Sequence, residues 1–274
     1  MASDAGKPFV MRDDEMERLD DLHTICTIMA DGELGWAPVH APKTVLDLGC
    51  GTGMWMTEFA HKHPNATITG LDLEPIDSSK LPPNCSTAIA DLEQKWPVTH
   101  RFDYIHTRWL VGCLFDWPRF FQQCYASLEE GGWMEVLDIG FPCHSEDGSL
   151  APGGAIEQWN SLLIQAAKIS GREITVAARF GQMMREAGFQ DVTVVEKRLP
   201  QNPWPEDPKE HALGEIALPI HKFGHERLGH DYLIPNLGMS ATEVDAKLKP
   251  VWKEMEDPDI HAWWPIYVVY GQKG

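Results

Sequence analysis

The sequence predicts an α/β fold: a doubly wound, mostly parallel, Rossmann-like sheet with helices on its faces. Three observations predict it. Short apolar runs of strand length, at 44–48, 67–71, 86–90, 102–107 and 133–139, are interleaved with helical patterns, the order of a parallel sheet covered on both sides. The first run breaks into three glycines on alternate positions, Val45-Leu46-Asp47-Leu48-Gly49-Cys50-Gly51-Thr52-Gly53-Met54-Trp55, then resumes at helical spacing with Trp55, Phe59 and Ala60. An acid, Asp72, ends the second run, and ligands of such sheets bind beyond the carboxyl ends of the strands.

The glycine spacing narrows the ligand. A dinucleotide fingerprint reads G-x-G-x-x-G/A, whereas these glycines read G-x-G-x-G and Met54 stands where the third small residue belongs. Asp47 lies two residues before the first glycine. A carboxylate there repels a diphosphate and suits a cation bearing an amino group. The pattern D-x-G-x-G-x-G resembles that of class I S-adenosylmethionine (SAM) methyltransferases, which implies SAM as cofactor, held by Asp47, Gly49, Cys50, Gly51 and Trp55. The alternative is a turn whose glycines only let a helix pack closely.

The chain has 274 residues, enough for one domain with an elaboration. Its net charge of −18 argues against a nucleic-acid acceptor, which needs a basic footprint. The six cysteines form no C-x-x-C pair and read as reduced, buried thiols. There is no leader-like N-terminus and no apolar run approaching ~18 residues. We therefore expect no membrane association and a cytoplasmic location, or a nuclear one if the protein is a regulator.

Residues 1–12 are expected to be loose. An amphipathic helix starts at Asp13, with Met16, Leu19, Leu22, Cys26 and Met29 at three-and-four spacing, and caps the core over 13–40. It either covers a sheet edge or forms a flap that sets Arg18 or His23 near the SAM carboxylate. Asp72, with its neighbour Leu73, is placed to accept both ribose hydroxyls. The class resemblance assigns Asp91 and the Leu92 amide to adenine; a helix N-cap is the competing role for Asp91. Strand four carries His106 and is followed by Trp109; Asp116 and Pro118 open the next helix. Strand five finishes at Asp138. His106, Glu135 and Asp138 are thus the titratable groups expected where the methyl lies, His106 as base, as cofactor contact or as a packed residue, and Glu135 or Asp138 as its orienting partner or as a contact to the acceptor.

Further on come helices at 156–170 and 175–187, a strand at 191–196 and a last strand at 264–270. The core is read as 44–196. The stretch 197–262 is too long for a bare loop. It opens on prolines around Trp204, continues as a helix from about Lys209, breaks at glycines, and ends in a helix capped by Ser240 and Glu243. We expect a helical lid that walls the acceptor site, with Trp204 and Phe223 joining Trp109 and Trp117 against the substrate; the alternative is an extra layer that only buries apolar surface. His221 and His225 are four apart, as zinc ligands can be, but no acid or cysteine completes a set, and no metal is expected.

The motifs R-L-D-x-x-H, V-L-D-L-G-C-G-T-G-M-W, H-P-N-A-T-I-T-G-L-D-L-E-P-I, F-D-Y-I-H-T-R, D-W-P-R, G-G-W-M-E-V-L-D and I-H-A-W-W-P-I-Y-V-V-Y-G together resemble the fungal LaeA-like methyltransferases of secondary metabolism. The resemblance implies a seven-stranded sheet whose last strand, 263–271, is antiparallel, in a single methyltransferase domain over 1–274. It also implies SAM-dependent O- or N-methylation of a small-molecule secondary metabolite. Two further readings remain open: a LaeA-type regulator acting through protein partners, and a SAM-fold enzyme of another chemistry, such as a pericyclic step.

Overall fold

The computed structural model describes residues 13–274, so the looseness expected of residues 1–12 lies outside the described residues. A seven-stranded sheet has the order β3-β2-β1-β4-β5-β7-β6. β1 (Thr44–Leu48) pairs in parallel with both β2 (Thr67–Asp72) and β4 (Phe102–Arg108). β3 (Cys85–Ile89) and β5 (Leu128–Ile139) extend the parallel part outward. β7 (Trp263–Gln272) runs antiparallel between β5 and β6 (Gln190–Pro200). The chain order reverses between β1 and β4, and such a switch point opens a crevice at the strand tips.

Helices α1 (Asp13–Met29), α2 (Met54–Lys62), α3 (Trp117–Ser127), α4 (Ala155–Ser170) and α5 (Phe180–Glu186) cover the sheet. Leu22, Cys26 and Met29 of α1 are buried as the spacing predicts, joined by Ile25, while Met16 is exposed. The Asp116 carboxylate caps α3 through the Arg119 N–H, with Pro118 in the first turn. After β6 come α6 (Pro208–Leu228), α7 (Ile234–Leu237) and α8 (Ala241–Glu256). Ser240 and Glu243 form the expected capping box on α8. These helices, with α1 and α4, bury one face of the β5-β7-β6 side; α3 and α5 contribute to a second core cluster.

Three boundaries differ from expectation. β6 continues to Pro200 because 197–200 pair with Ile266 to Trp263, so the insertion starts after the strand. β5 begins at Leu128, and its register with β4 shifts before Trp133. The expected break near Gly224 and Gly229 is absent: α6 runs through Gly224 and passes into a π-helical turn, Gly229–Leu233. Gly229 serves close packing, since a Cβ there would sit 2.7 Å from the Trp159 ring. All six cysteines are free thiols. Among the described residues no helix is long and apolar enough to cross a membrane.

Candidate functional site

The glycine turn is built from left-handed backbone. Gly49, Gly51 and Gly53 have φ of 72°, 54° and 78°, a region costly for residues with a Cβ. A Cβ on Gly49 would also lie 2.7 Å from a Leu110 methyl. The Gly51 N–H donates to Asp72 Oδ2 at 2.8 Å, and the Glu74 N–H to Asp72 Oδ1 at 3.1 Å. Burial pushes the Asp72 carboxyl up from its usual range against those bonds.

Around this turn lies a cavity with about 1130 Å³ of unfilled space, part of it open to solvent. The sequence-predicted Gly49, Cys50, Gly51 and Trp55 form one side of it. Asp72 and Leu73 from the β2 tip, and Asp91 and Leu92 beyond β3, form the next. Asp91 also accepts the Glu93 N–H at 2.9 Å. Arg18 and Leu19 of α1 close the cavity, and α1 is fastened to the turn where Thr52 Oγ1 donates to Asp20 at 2.7 Å. Arg108 and Trp109 complete the wall from the β4 end. Two carboxylates at neighbouring strand tips beside a Cβ-free turn fit an adenosyl group: acceptors for sugar hydroxyls and an amine, and backbone that a ligand can approach.

Asp47 and His106 do not reach this wall. They sit opposite each other in the β1–β4 register, so their side chains meet on one face of the sheet. His106 Nδ1 lies 2.7 Å from Asp47 Oδ1, a distance at which a carboxylate accepts its proton. The imidazole stacks on Trp55 at 3.7 Å with planes 2° apart. Both residues are buried, and desolvation lowers the His106 pKa against the pull of Asp47. Asp47, expected to face the ligand, and His106, expected as base or cofactor contact, thus pair inside the core; neither lines the two large cavities, and His106 lines only a small one of about 230 Å³ beside α1.

Glu135 also belongs to the interior. Its Oε2 accepts the Trp36 and Ala37 N–H groups at 2.7 and 2.6 Å, and burial raises its pKa to about 7. It pins the chain between α1 and β1 to the sheet and cannot orient His106 toward a ligand. Asp138 does reach a cavity wall, but its carboxylate holds the loop after β4. Oδ2 accepts the Leu110 and Val111 N–H groups at 2.6 and 2.8 Å, Oδ1 the Ile139 N–H at 2.9 Å, and burial raises its pKa to about 7.

A second chamber, on the α6 side and termed the inner chamber, has about 730 Å³ of unfilled space, part of it open to solvent. Arg18 and Trp109 line both cavities and form the wall between them. Arg18 is held in a fork on Glu15, with bonds of 3.1 and 2.6 Å. Trp109 is a non-glycine residue at φ 60°; a bulky side chain in that region marks a position the surroundings enforce. From α6 the chamber receives Ile220, His221, Gly224, His225 and Leu228, a stripe at helical spacing.

The other expected substrate contacts lie elsewhere. Trp117 is core, 4.4 Å from the Phe180 ring centroid. Trp204 stacks on His261 at 4.7 Å and donates to the Ala262 carbonyl, anchoring the approach to β7. Phe223 falls off the α6 stripe and lines neither cavity. His23, the alternative to Arg18, accepts from Arg108 Nη2 at 2.6 Å and lies 3.0 Å from the Glu58 carboxylate, inside the α1 packing. The sequence reading gave Arg108 no role, and it singled out His221 and His225 as a spaced pair, surface or pocket histidines, without placing them in the acceptor wall. The signal was present: two histidines four apart interrupt an otherwise apolar stripe. Among the described residues no three His, Cys, Asp or Glu groups converge on a metal position.

The family model described as a methyltransferase domain matches residues 31–194. Methyltransferase pytC of Aspergillus terreus is 34% identical over 268 residues, covering 97% of this chain and 83% of that protein. The secondary metabolism regulator laeA of Aspergillus flavus is 37% identical over 204 residues, covering 73% of this chain and 55% of the regulator. Among solved structures, a coclaurine N-methyltransferase bound to N-methylheliamine and S-adenosylhomocysteine (SAH) superposes with a TM-score of 0.51 at 15% identity, covering 96% of this chain and 74% of that one.

Proposed function

This chain belongs to the methyltransferase family, in company with fungal LaeA-like proteins, and from that premise we propose that it methylates a small-molecule secondary metabolite held in the inner chamber. The observation that carries the reading is the shared wall: Arg18 and Trp109 separate a glycine-turn cavity from a chamber of small-molecule size. When bound, SAM supplies a methyl already activated on a sulfonium.

The protein's own residues then have three tasks. Asp72 and Asp91 accept hydrogen bonds from the ribose and the adenine amine, with Leu73 and Leu92 beside them. Gly49, Gly51 and Trp55 shape the turn side. Helix α1 covers the cavity and keeps water out, its Arg18 held by Glu15. Positioning and water exclusion are the main demands of a one-step transfer from an activated donor. Residues 201–262 are read as a lid, whose α6 forms the outer wall of the chamber. O- and N-methylation both fit this description.

Calorimetry tests the cofactor reading. SAH is expected to bind the wild-type chain and NAD to give no heat; Asp72→Ala weakens SAH by about tenfold to a hundredfold, the loss of hydrogen bonds to a charged group. Heat with NAD and none with SAH overturns the reading. A second reading, a regulator working through protein partners, draws on the laeA likeness. It is favoured if a stable partner co-purifies and the chain turns over no small molecule.

A further inference from the structure

Four titratable groups face the inner chamber: Arg18 from α1, Asp138 from β5, and His221 and His225 from α6. The walls contributed by Leu22, Val111, Phe141, Ile174 and Leu199 carry no hydrogen-bonding side chain. Three of the four titratable groups already hold a hydrogen bond, and Trp109, which lines the same chamber, has an indole N–H buried without a partner. Arg18 forks onto Glu15. Asp138 is taken by three backbone N–H groups. His225 Nδ1 accepts the Trp159 indole N–H at 3.0 Å.

His221 is the exception. It is 6% exposed, its ring lies over Trp264 with planes 20° apart, and its buried Nε2 has no hydrogen-bond partner. Leaving a buried polar atom unmatched costs about 1–3 kcal/mol, and this one belongs to a residue that lines a cavity, where a ligand atom can supply the partner. We propose that Nε2 of His221 is the hydrogen-bond partner of the acceptor's hydroxyl, and that the acceptor is a neutral, largely apolar hydroxyl compound of the phenol or enol class.

The choice of class follows from what the other groups can offer. A carboxylate acceptor needs a cation, and Arg18 already serves Glu15. A cationic amine needs an anion, and Asp138 is engaged by the backbone. A hydroxyl needs one partner, and its apolar body matches the remaining walls. Burial, with His225 and Arg18 nearby, lowers the His221 pKa to about 3, so the imidazole is neutral at physiological pH and presents no charge to the chamber. Beside it, a Cβ built on Gly224 meets nothing within 4 Å, so the chamber has room along α6.

This inference rests on the methyltransferase reading, and the experiment separates the two. The full chain is saturated with SAH, and calorimetry compares 2-naphthol with naphthalene. Wild type is expected to bind 2-naphthol about tenfold more tightly, the worth of one hydrogen bond. His221→Phe keeps a ring over Trp264 and is expected to bring both probes to one affinity with SAH binding unchanged. Gly224→Leu is expected to weaken both probes alike. Equal binding of the two probes by wild type overturns the proposal, even if His221→Phe cannot be purified; so does a preference for 2-naphthol that survives His221→Phe. Absence of SAH binding overturns the methyltransferase reading itself, whereas SAH binding without a naphthol preference overturns only the inference about His221.

Discussion

His106 and His221 are alike in chemistry and setting. Each is buried, each ring stacks on a tryptophan, and desolvation lowers the pKa of each. They differ in their neighbours. His106 holds a carboxylate at 2.7 Å on Nδ1 and lines neither large cavity, only a small one of about 230 Å³ beside α1; His221 lines a large cavity and keeps one nitrogen without a partner. The difference teaches that being buried and titratable does not make a side chain functional. An imidazole locked to a carboxylate is architecture, and one with an unmatched nitrogen beside a large cavity is a place for a ligand.

The sharpest way to break this comparison is to remove a partner on each side and measure stability. Asp47→Ala leaves the buried His106 Nδ1–H without its acceptor and is expected to cost about 1–3 kcal/mol in urea unfolding. His221→Phe removes a polar atom that had no partner and replaces it with an apolar ring of similar shape, so it is expected to change stability by less than about 1 kcal/mol. If the two variants unfold alike, the distinction between a closed pair and an open site fails.

A smaller effect comes from pH, because the two regions titrate in opposite senses. Glu135 on the sheet side is raised from 4.5 to about 7. The folded protein then holds a proton that the unfolded chain has released, so this contribution is full below about pH 4.5 and lost as pH rises to about 7. His221 is lowered from 6.5 to about 3. Here the unfolded chain holds the proton, so the contribution is full above about pH 6.5 and lost as pH falls toward 3. Between pH 4.5 and 6.5, Glu135→Gln is therefore expected to make the slope of stability against pH more positive, and His221→Phe more negative. Each change is at most about 1.4 kcal/mol per pH unit. Urea titrations at three pH values check the signs; two changes of the same sign would show that the regions are not opposed.

The smallest expected effect isolates the insertion from the cofactor side. Ser240→Ala removes the N-cap of α8 and its capping box, at a cost of about 1 kcal/mol. Thermal melting is expected to fall by a few degrees, with SAH affinity unchanged. A loss of SAH binding in this variant would mean that the lid helices shape the glycine-turn cavity as well as the chamber.

Much of this was legible in the chain. The strand positions, the glycine turn, Asp72 at the β2 tip and the caps on α3 and α8 stand where their local spacing put them; Asp91 and Leu92, pointed to by the class resemblance, and Arg18, one of two candidates on α1, line the glycine-turn cavity. Less legible were Trp117, Trp204 and Phe223, which share the composition of a binding wall but serve the core, the approach to β7 and a helix flank. The break expected near Gly224 and Gly229 also failed, because Gly229 answers to Trp159 about seventy residues earlier and not to the local helix.

What the sequence alone determined, then, is everything whose cause lies within a few residues along the chain. Glycines permit the left-handed turn, a carboxylate follows an apolar strand by one position, and a serine caps the helix it precedes. Only the tertiary structure decided which histidine is satisfied. The inner chamber draws Arg18, Asp138 and His221 from elements some 200 residues apart, and whether a buried nitrogen finds a partner depends on which groups packing delivers within about 3 Å of it. Hydrogen-bond saturation is a property of neighbours in space, so no spacing rule along the chain can report it.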